Sequence, residues 1–293
     1  MHGFGRSNVT TISRWKVERQ FVQASSFQGV SQVSVEPNRT PGSVSSLSIP
    51  SGAQLATIDV EPASLEGRDI VGFNSRDIRS RPFNLLRTQV LKAMREKNWR
   101  LLGVTSATPE AGKSFLSANL AVAMAQLPDV RVCLFDLDLR RGSLAEKFEI
   151  AGEQGLTQFL DGTIDDLSNV GRYLSNLRLS LYPCYSSRIN SAELLAGDRF
   201  ASLVSAMRAL PEDVIVICDL PPAFANDDAM TIIQNLDAYI FVIEEGMTTK
   251  TELRDAMNLL APAPCLGTVL NRFSASPLDA YGAYGKYDHY YGQ

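Results

Sequence analysis

Residues 101–127 constrain the fold of this chain more than any other segment. An apolar run, residues 101–104, leads through the loop SATPEAGKS into the apolar stretch SFLSANLAVAMAQL. A buried strand thus turns into a helix through a loop that matches G-x-x-x-x-G-K-[ST], with Ala107 in place of the first glycine. Such a loop aims successive backbone N–H groups at a phosphate chain, and the helix N-terminus adds partial positive charge. The segment predicts a nucleoside triphosphate site.

The loop supplies the first candidate site residues. We expect Lys113 to reach the terminal phosphates and Ser114 to offer its hydroxyl to Mg²⁺. The predicted nucleotide-binding residues of the loop are Thr108, Pro109, Glu110, Ala111, Gly112, Lys113, Ser114 and Phe115. Because the first glycine is substituted, the motif alone fits a chance Gly-Lys-Ser at a turn as well as it fits a phosphate loop. Features elsewhere in the chain must decide between these two interpretations.

Two further apolar runs end in carboxylates. VCLFDLDLRRGS ends its run at Asp136 and continues to Asp138, and VIVICDLPPA ends its run at Asp219. Uninterrupted apolar runs are typical of parallel strands buried on both faces, and ligands of such sheets bind at the carboxyl ends of the strands. Asp136 and Asp138, two residues apart on a strand, are expected to point the same way, so that one cation could use both. These acids predict a Mg²⁺ site; solvated strand-end residues are the alternative.

The alternation of patterns indicates an α/β fold with a mostly parallel sheet covered by helices on both faces. A helical stripe in residues 81–100 has its apolar positions at Phe83, Leu86, Val90, Leu91 and Met94. Strands are predicted at 101–106, 131–136, 177–183, 214–219, 238–243 and 265–270. Helices are predicted at 113–127, 141–148, 191–208, 228–235 and 249–260.

Composition divides the chain into three parts. Residues 1–70 are rich in Ser, Thr, Gln, Gly and Pro, and they are predicted to form a disordered arm because they offer little apolar surface to offset the entropy of ordering. A nucleotide-binding domain is expected over 71–276. A flexible tyrosine-rich tail is expected over 277–293.

Charge and residue usage exclude several functions. The net charge of −4 gives no basic field for nucleic acid, so we expect no nucleic-acid partner. The two histidines, His2 and His289, lie near the chain ends, which argues against a histidine-dependent hydrolase. The four cysteines show no metal-ligand spacing and predict buried thiols of a reducing compartment. With no apolar run of eighteen residues, we expect a soluble, cytoplasmic chain.

The last thirteen residues, YGAYGKYDHYYGQ, form a distinct tail. Its candidate phosphoacceptors are Tyr281, Tyr284, Tyr287, Tyr290 and Tyr291. Burying five tyrosines would require five satisfied hydroxyls and an ordered backbone, which the intervening glycines oppose. Glycines instead suit a chain that threads one phenol after another into an active site. A sticky low-complexity tail is the alternative.

The set of motifs resembles the catalytic domain of the bacterial tyrosine kinases of capsule and exopolysaccharide systems, the BY-kinases, over about residues 79–293. Pieces between the nucleotide motifs that match the family are GLTQFLDGTIDDL (155–167), SAELLAG (191–197), DDAM (227–230), EGMTTKTEL (245–253) and TVLNR (268–272). The resemblance implies a P-loop NTPase fold with a MinD/ParA-like arrangement.

The same resemblance implies the chemistry. ATP would donate its phosphoryl group to a tyrosine, mostly on the tail of a neighbouring copy. Lys113, Asp136 and Asp138 would be catalytic, with Asp136 as the base and Asp138 as a direct metal ligand, although these two could exchange roles. The implied Mg²⁺ ligands are Ser114, Asp138 and Asp219, and Asn271 matches the position that recognises adenine.

Two departures from the family pattern stand out. The family loop ends Gly-Glu-Gly-Lys, whereas this chain has Glu110-Ala111-Gly112-Lys113. A glutamate about 4 Å from phosphate would cost on the order of 4 kcal/mol, so we expect Glu110 to point outward. The ring-forming motif Glu-x-x-Arg-x-x-Arg survives only as Arg87.

Two rival functions stay open. A MinD/ParA-like ATPase is disfavoured because such proteins carry a lysine where this chain has Thr108, and because they lack a tyrosine tail. A nucleotide-binding regulator without catalysis is kept open by the altered loop. By resemblance, the expected partner is a membrane-spanning chain-length regulator that activates the kinase and holds it at the inner face of the membrane.

Overall fold

The sheet is the framework of this chain. The structure, a computed structural model, describes residues 47–186 and 189–273. Within those residues the strands are β1 (Ala56–Ile58), β2 (Leu101–Ser106), β3 (Arg131–Asp136), β4 (Arg172–Leu174), β5 (Leu179–Tyr182), β6 (Val214–Asp219), β7 (Ala238–Glu244) and β8 (Cys265–Asn271). They form one sheet in the order β1-β4-β5-β3-β6-β2-β7-β8.

Helices connect most of these strands. They are α1 (Pro62–Gly67), α2 (Arg81–Glu96), α3 (Lys113–Ala125), α4 (Leu144–Lys147), α5 (Leu156–Leu160), α6 (Leu167–Val170), α7 (Ser191–Leu195), α8 (Asp198–Arg208), α9 (Asp228–Ile233) and α10 (Lys250–Leu259). Short 3₁₀ turns occur at Gly52–Gln54, Ile78–Ser80 and Ser175–Leu177. None of the helices in the described ranges is both long enough and apolar enough to span a membrane.

The topology brings three strand ends together. All pairings are parallel except that of β4 with β5, which is antiparallel. The loop-bearing strand β2 lies between β6 and β7, and β3 lies on the other side of β6. The carboxyl ends of β2, β3 and β6 therefore meet at one edge of the sheet, as we predicted from the acidic residues at the ends of two of these strands.

The core consists of two apolar layers, one on each face of the sheet. Helices α1 to α4 contribute to one layer, and α5 to α10 contribute to the other. Alternate strand residues point to opposite layers: Leu134 joins the first, whereas Cys133 and Phe135 join the second. The predicted stripe on α2 is confirmed, because all five of its apolar residues are buried. The predicted α/β fold with helices on both faces is therefore confirmed.

Two predicted elements differ from the structure. The helix expected over 191–208 is two helices, α7 and α8, because the backbone at Gly197 is extended (φ −82°, ψ 160°) and interrupts the helical hydrogen bonds. Of the helix predicted over 141–148, only the short helix α4 (Leu144–Lys147) forms. Sequence analysis missed β4, α5 and α6, which are too short to show a period.

The prediction of a disordered arm over 1–70 is wrong for residues 47–70. This stretch adds β1 to the sheet and buries Ile49, Leu55, Val60 and Leu65. The apolar residues are widely spaced along the sequence, so they show no helical or strand periodicity, yet each fills its own site on the domain. Residues 1–46 lie outside the described residues.

Asn119 of α3 fastens this N-terminal segment to the domain. Its Oδ1 accepts hydrogen bonds from the backbone N–H groups of Val71 (2.8 Å) and Gly72 (3.0 Å). Its Nδ2 donates to the carbonyl oxygens of Asp69 (2.9 Å) and Phe115 (3.0 Å). A Cβ on Gly72 would lie 2.4 Å from the Asn119 carbonyl oxygen, so only glycine permits this approach.

Replacing Asn119 with alanine should destabilise the protein by about 2–4 kcal/mol, because buried backbone groups would lose their partners. The free energy of unfolding in urea measures the change. The matched control is Asn258→Ala, at an exposed position on α10, which should stay within about 0.5 kcal/mol of wild type. Equal stabilities of the two variants would contradict the role of Asn119.

Candidate nucleotide-binding site

The loop between β2 and α3 has the shape that phosphate binding requires. β2 ends at Ser106, whose Oγ donates a hydrogen bond to the carbonyl of Thr108 (2.7 Å), and α3 begins at Lys113. Gly112 adopts φ 99°, a left-handed conformation that favours glycine. Glu110 also has positive φ (64°) and is exposed. Its exposure does not set the direction of its side chain, so the outward orientation stays a prediction.

Asn271, at the end of β8, contacts the same loop. Its Nδ2 donates a hydrogen bond to the carbonyl of Ala111 (2.9 Å), and the side chain is buried. A Cβ at Gly112 would lie 2.0 Å from that nitrogen, so the contact needs glycine at 112. The structure places Asn271 at the pocket as expected, but against the phosphate loop; its role in adenine recognition stays a prediction.

Two buried carboxylates face each other below the loop. Asp136 and Asp219 are directly opposite in the pairing of β3 with β6, and both are fully buried. Oδ2 of Asp136 accepts hydrogen bonds from the backbone N–H groups of Ser143 (2.9 Å) and Leu144 (3.0 Å). Oδ1 of Asp219 accepts one from the hydroxyl of Ser117 (3.0 Å). The other oxygen of each carboxylate is buried without a hydrogen-bond partner.

Burial and mutual repulsion disfavour the charged forms of this pair. Burial raises the pKa of Asp136 well above its ordinary value, and the neighbouring charge of Asp219 raises it further. Burial also raises the pKa of Asp219, although Lys113 and the hydroxyls of Ser114 and Ser117 oppose that rise. A cation bound between the two carboxylates would favour their charged forms.

Asp138 lies beyond the end of β3, next to the loop lysine. Its Oδ2 is 3.8 Å from Nζ of Lys113, and burial raises its pKa against the attraction of that lysine. In the described ranges no three acidic, histidine or cysteine side chains gather into a cluster that could hold a metal ion. A cation here would need oxygen atoms from phosphate or water in addition.

The residues present fit Mg²⁺. Mg²⁺ is usually held by one or two carboxylates together with phosphate and water oxygens. The unpartnered oxygen of Asp219 is a ligand of this kind, and the Ser114 hydroxyl lies close enough to Asp219 to oppose the rise of its pKa. The assignment of Ser114, Asp138 and Asp219 as the ligands stays a prediction.

The pocket above these groups has a volume of about 620 Å³. The loop residues Pro109, Glu110, Gly112, Lys113, Ser114 and Phe115 line it, together with Asp138 and Asn271. Thr108 is half-buried in the same loop, and Ala111 is fully buried beneath it. The five predicted acceptor tyrosines lie outside the described residues.

Sequence analysis missed several residues of the pocket wall. Arg68 and Asp69 come from the segment that was predicted to be disordered, and Lys147 comes from α4. Asn226 and Arg272 follow β6 and β8. Only the last two carry a usable signal, because each follows the carboxyl end of a predicted parallel strand.

Fold and site together define a P-loop nucleotide-binding domain. The family model that matches this chain is the CobQ/CobB/MinD/ParA nucleotide binding domain, over residues 102–281. The tyrosine-protein kinase YwqD of Bacillus subtilis (strain 168) is 30% identical over 217 residues, which cover 73% of this chain and 90% of that protein. The chain therefore belongs to this nucleotide-binding family and, within it, to the bacterial tyrosine kinases, as its motifs predicted.

Two further comparisons agree with this placement. The tyrosine-protein kinase ptk of Acinetobacter johnsonii is 33% identical over 200 residues, which cover 68% of this chain. The chain spans only about a quarter of the length of that relative (26%). The solved kinase domain of the Escherichia coli tyrosine kinase ETK is 29% identical, with a TM-score of 0.64, and the match covers 75% of this chain and 92% of that domain.

Replacing Asp219 with asparagine tests the electrostatics of the buried pair. In the metal-free folded protein the pKa of Asp219 is raised, so this carboxyl contributes stability that is present below its unfolded pKa of about 4 and lost as pH rises through the folded value. Relative to Asp219→Asn, wild type should therefore lose unfolding free energy as pH rises from about 4 to the raised pKa of about 6. Urea unfolding in a chelator at several pH values measures the difference.

The exposed Asp165 provides the matched control for that measurement. Its side chain is 90% exposed, so Asp165→Asn should follow the pH dependence of wild type. If Asp219→Asn also ran parallel to wild type, the pKa of Asp219 would not be raised and the argument for a cation site would fail.

Proposed function

We propose that this chain is an ATP-dependent protein-tyrosine kinase that phosphorylates C-terminal tyrosines and thereby regulates the synthesis and export of an exopolysaccharide or capsule. The observation that carries the proposal is the position of Lys113, Ser114, Asp136 and Asp219 around one edge of the sheet, with unpartnered carboxylate oxygens beside a phosphate loop. Membership of the bacterial tyrosine kinases supports the choice of acceptor and of the polysaccharide system.

Phosphoryl transfer depends on positioning and charge neutralisation more than on covalent chemistry. The loop N–H groups and Lys113 bind the phosphate chain and stabilise the charge that develops on the transferred group. Ser114, Asp138 and Asp219 are the residues that would hold Mg²⁺, whose charge neutralises the phosphates when it is bound. Asp138 also positions Lys113 through an ion pair in which its Oδ2 lies 3.8 Å from Nζ of the lysine.

Asp136 is the proposed general base. Tyrosine has a pKa of about 10, so its hydroxyl benefits from a proton acceptor at neutral pH. The N–H groups of Ser143 and Leu144 hold Oδ2 of Asp136, which leaves Oδ1 to take the proton. Because burial raises the pKa of Asp136, its carboxylate is a stronger base than an exposed one.

The proposed acceptors are Tyr281, Tyr284, Tyr287, Tyr290 and Tyr291, mostly on a neighbouring copy. Each phosphate adds about −1.5 to −2 charges at pH 7, so repulsion between modified tails would favour separation of the copies. Arg87, which matches the ring-forming motif of the family, donates a hydrogen bond to the carbonyl of Ala123 within its own domain (3.0 Å). Self-association would therefore rely on contacts other than the family's arginine pairs.

The proposed partner is a membrane-spanning chain-length regulator of the polysaccharide machinery. Kinases of this family act in capsule and exopolysaccharide systems, and the long relative ptk carries a large region that this chain does not match. A cytoplasmic segment of the partner would activate the kinase. It would also hold the chain at the inner face of the cell membrane.

Labelled ATP with Mg²⁺ tests the proposed reaction on the full chain. We expect phosphotyrosine on wild type, and at least about a hundredfold less on Lys113→Met, because the lysine binds the phosphates in the transition state. A chain that ends at Ala280 should bind nucleotide without labelling itself. Lys92→Met, at an exposed position on α2, is the matched control and should label like wild type.

The same variants separate the alternatives. Lys113→Met mixed with the truncated chain should become labelled on its tail, because each molecule supplies what the other lacks and transfer occurs between copies. Release of phosphate from ATP at the same rate by the full and the truncated chain would instead indicate a MinD/ParA-like ATPase. Nucleotide binding with neither reaction would indicate a regulator without catalysis.

A further inference from the structure

Lys147 occupies a fixed position in the wall of the pocket. It is the last residue of α4, the helix whose first N–H groups hold Asp136. Leu144 at the start of α4 and Phe148 just after its end lie on the same face of the helix and are fully buried in the core. The side chain of Lys147 therefore lines the same cavity as Lys113 and Ser114.

Most other cations that line this cavity have an acidic partner. Lys113 lies 3.8 Å from Asp138, Arg140 lies 3.7 Å from Asp228, and Arg68 lies 2.9 Å from Glu149. Arg272 pairs with Glu244.

Lys147 differs from these four residues. Although it is half-buried, no hydrogen bond or ion pair joins its ammonium group to any residue in the described part of the chain.

An unpaired ammonium group in this position is costly. Burial lowers the pKa of Lys147, and the attraction of Asp219 and Asp69 from beyond ion-pair distance opposes that effect only in part. An anion within the cavity would remove the cost by pairing with the lysine. The cavity already offers a phosphate loop, so a phosphate group is the anion that its chemistry favours.

We propose that Lys147 is a second phosphate-binding cation of this site, which contacts the terminal phosphate of a bound nucleoside triphosphate from the side opposite the loop. The proposal rests on the nucleotide-binding part of the proposed function, and not on the tyrosine acceptor. It assigns the terminal phosphate because α4 is hydrogen-bonded to Asp136, the residue next to which the phosphoryl group would be transferred. Lys147 would then distinguish a triphosphate from a diphosphate.

Calorimetric titration with a non-hydrolysable ATP analogue and with ADP, both with Mg²⁺, tests this assignment. Lys147→Met should weaken binding of the analogue by about 10- to 100-fold, the effect of one charge-assisted hydrogen bond, and binding of ADP by less than about threefold. Lys147→Arg keeps the charge and should restore most of the affinity for the analogue. Lys92→Met is the matched control and should bind both nucleotides like wild type.

Three outcomes would overturn the inference. These are unchanged affinity of Lys147→Met for the analogue, equal losses for both nucleotides, and no recovery in Lys147→Arg. Thermal unfolding of each variant shows whether the fold is intact, and Lys147→Arg provides the second test if Lys147→Met unfolds. Since only binding is measured, failure of tyrosine transfer in wild type would refute the kinase proposal and leave this one standing.

Discussion

The buried pair Asp136 and Asp219 is the constraint around which the site is organised. Two carboxylates that face each other across β3 and β6, away from water, would repel unless neighbouring groups compensated them. Backbone N–H groups of Ser143 and Leu144 stabilise one, and the Ser117 hydroxyl stabilises the other. The start of α4 and the first turns of α3 are thus positioned by the same two charges. The geometry of the phosphate loop and the electrostatics of the acids therefore depend on each other.

Much of the fold could be predicted from local pattern. The strands at 101–106, 131–136 and 214–219 have the predicted bounds. Each is a continuous apolar run that ends in a polar loop, and such a run shows clearly where the strand begins and ends. Their carboxyl ends meet because parallel strands in a sheet share a direction. Lys113, Ser114, Asp138 and Asn271 accordingly line one cavity, although they are widely separated along the chain.

The parts that could not be predicted depend on contacts between distant residues. Residues 47–70 have the composition of a disordered segment, yet Asn119 binds the backbone that follows them and β1 pairs with β4. No local property of the segment reveals these partners. Lys147 was missed for a related reason: a lysine on a short helix is ordinarily a solvated residue, and only the attachment of α4 to Asp136 places it in the cavity.

The hydrogen bond from Asn271 to the carbonyl of Ala111 joins the residue that is predicted to recognise adenine to the phosphate loop. One N–H of the Asn271 side-chain amide is used by the carbonyl of Ala111, which leaves its second N–H and its Oδ1 for another partner. If Asn271 binds a base as predicted, the free energy of that contact would depend on the conformation of residues 111 and 112, and binding of the base would in turn stabilise that conformation. A substitution at position 271 would then change the affinity for the phosphates as well as the preference among bases.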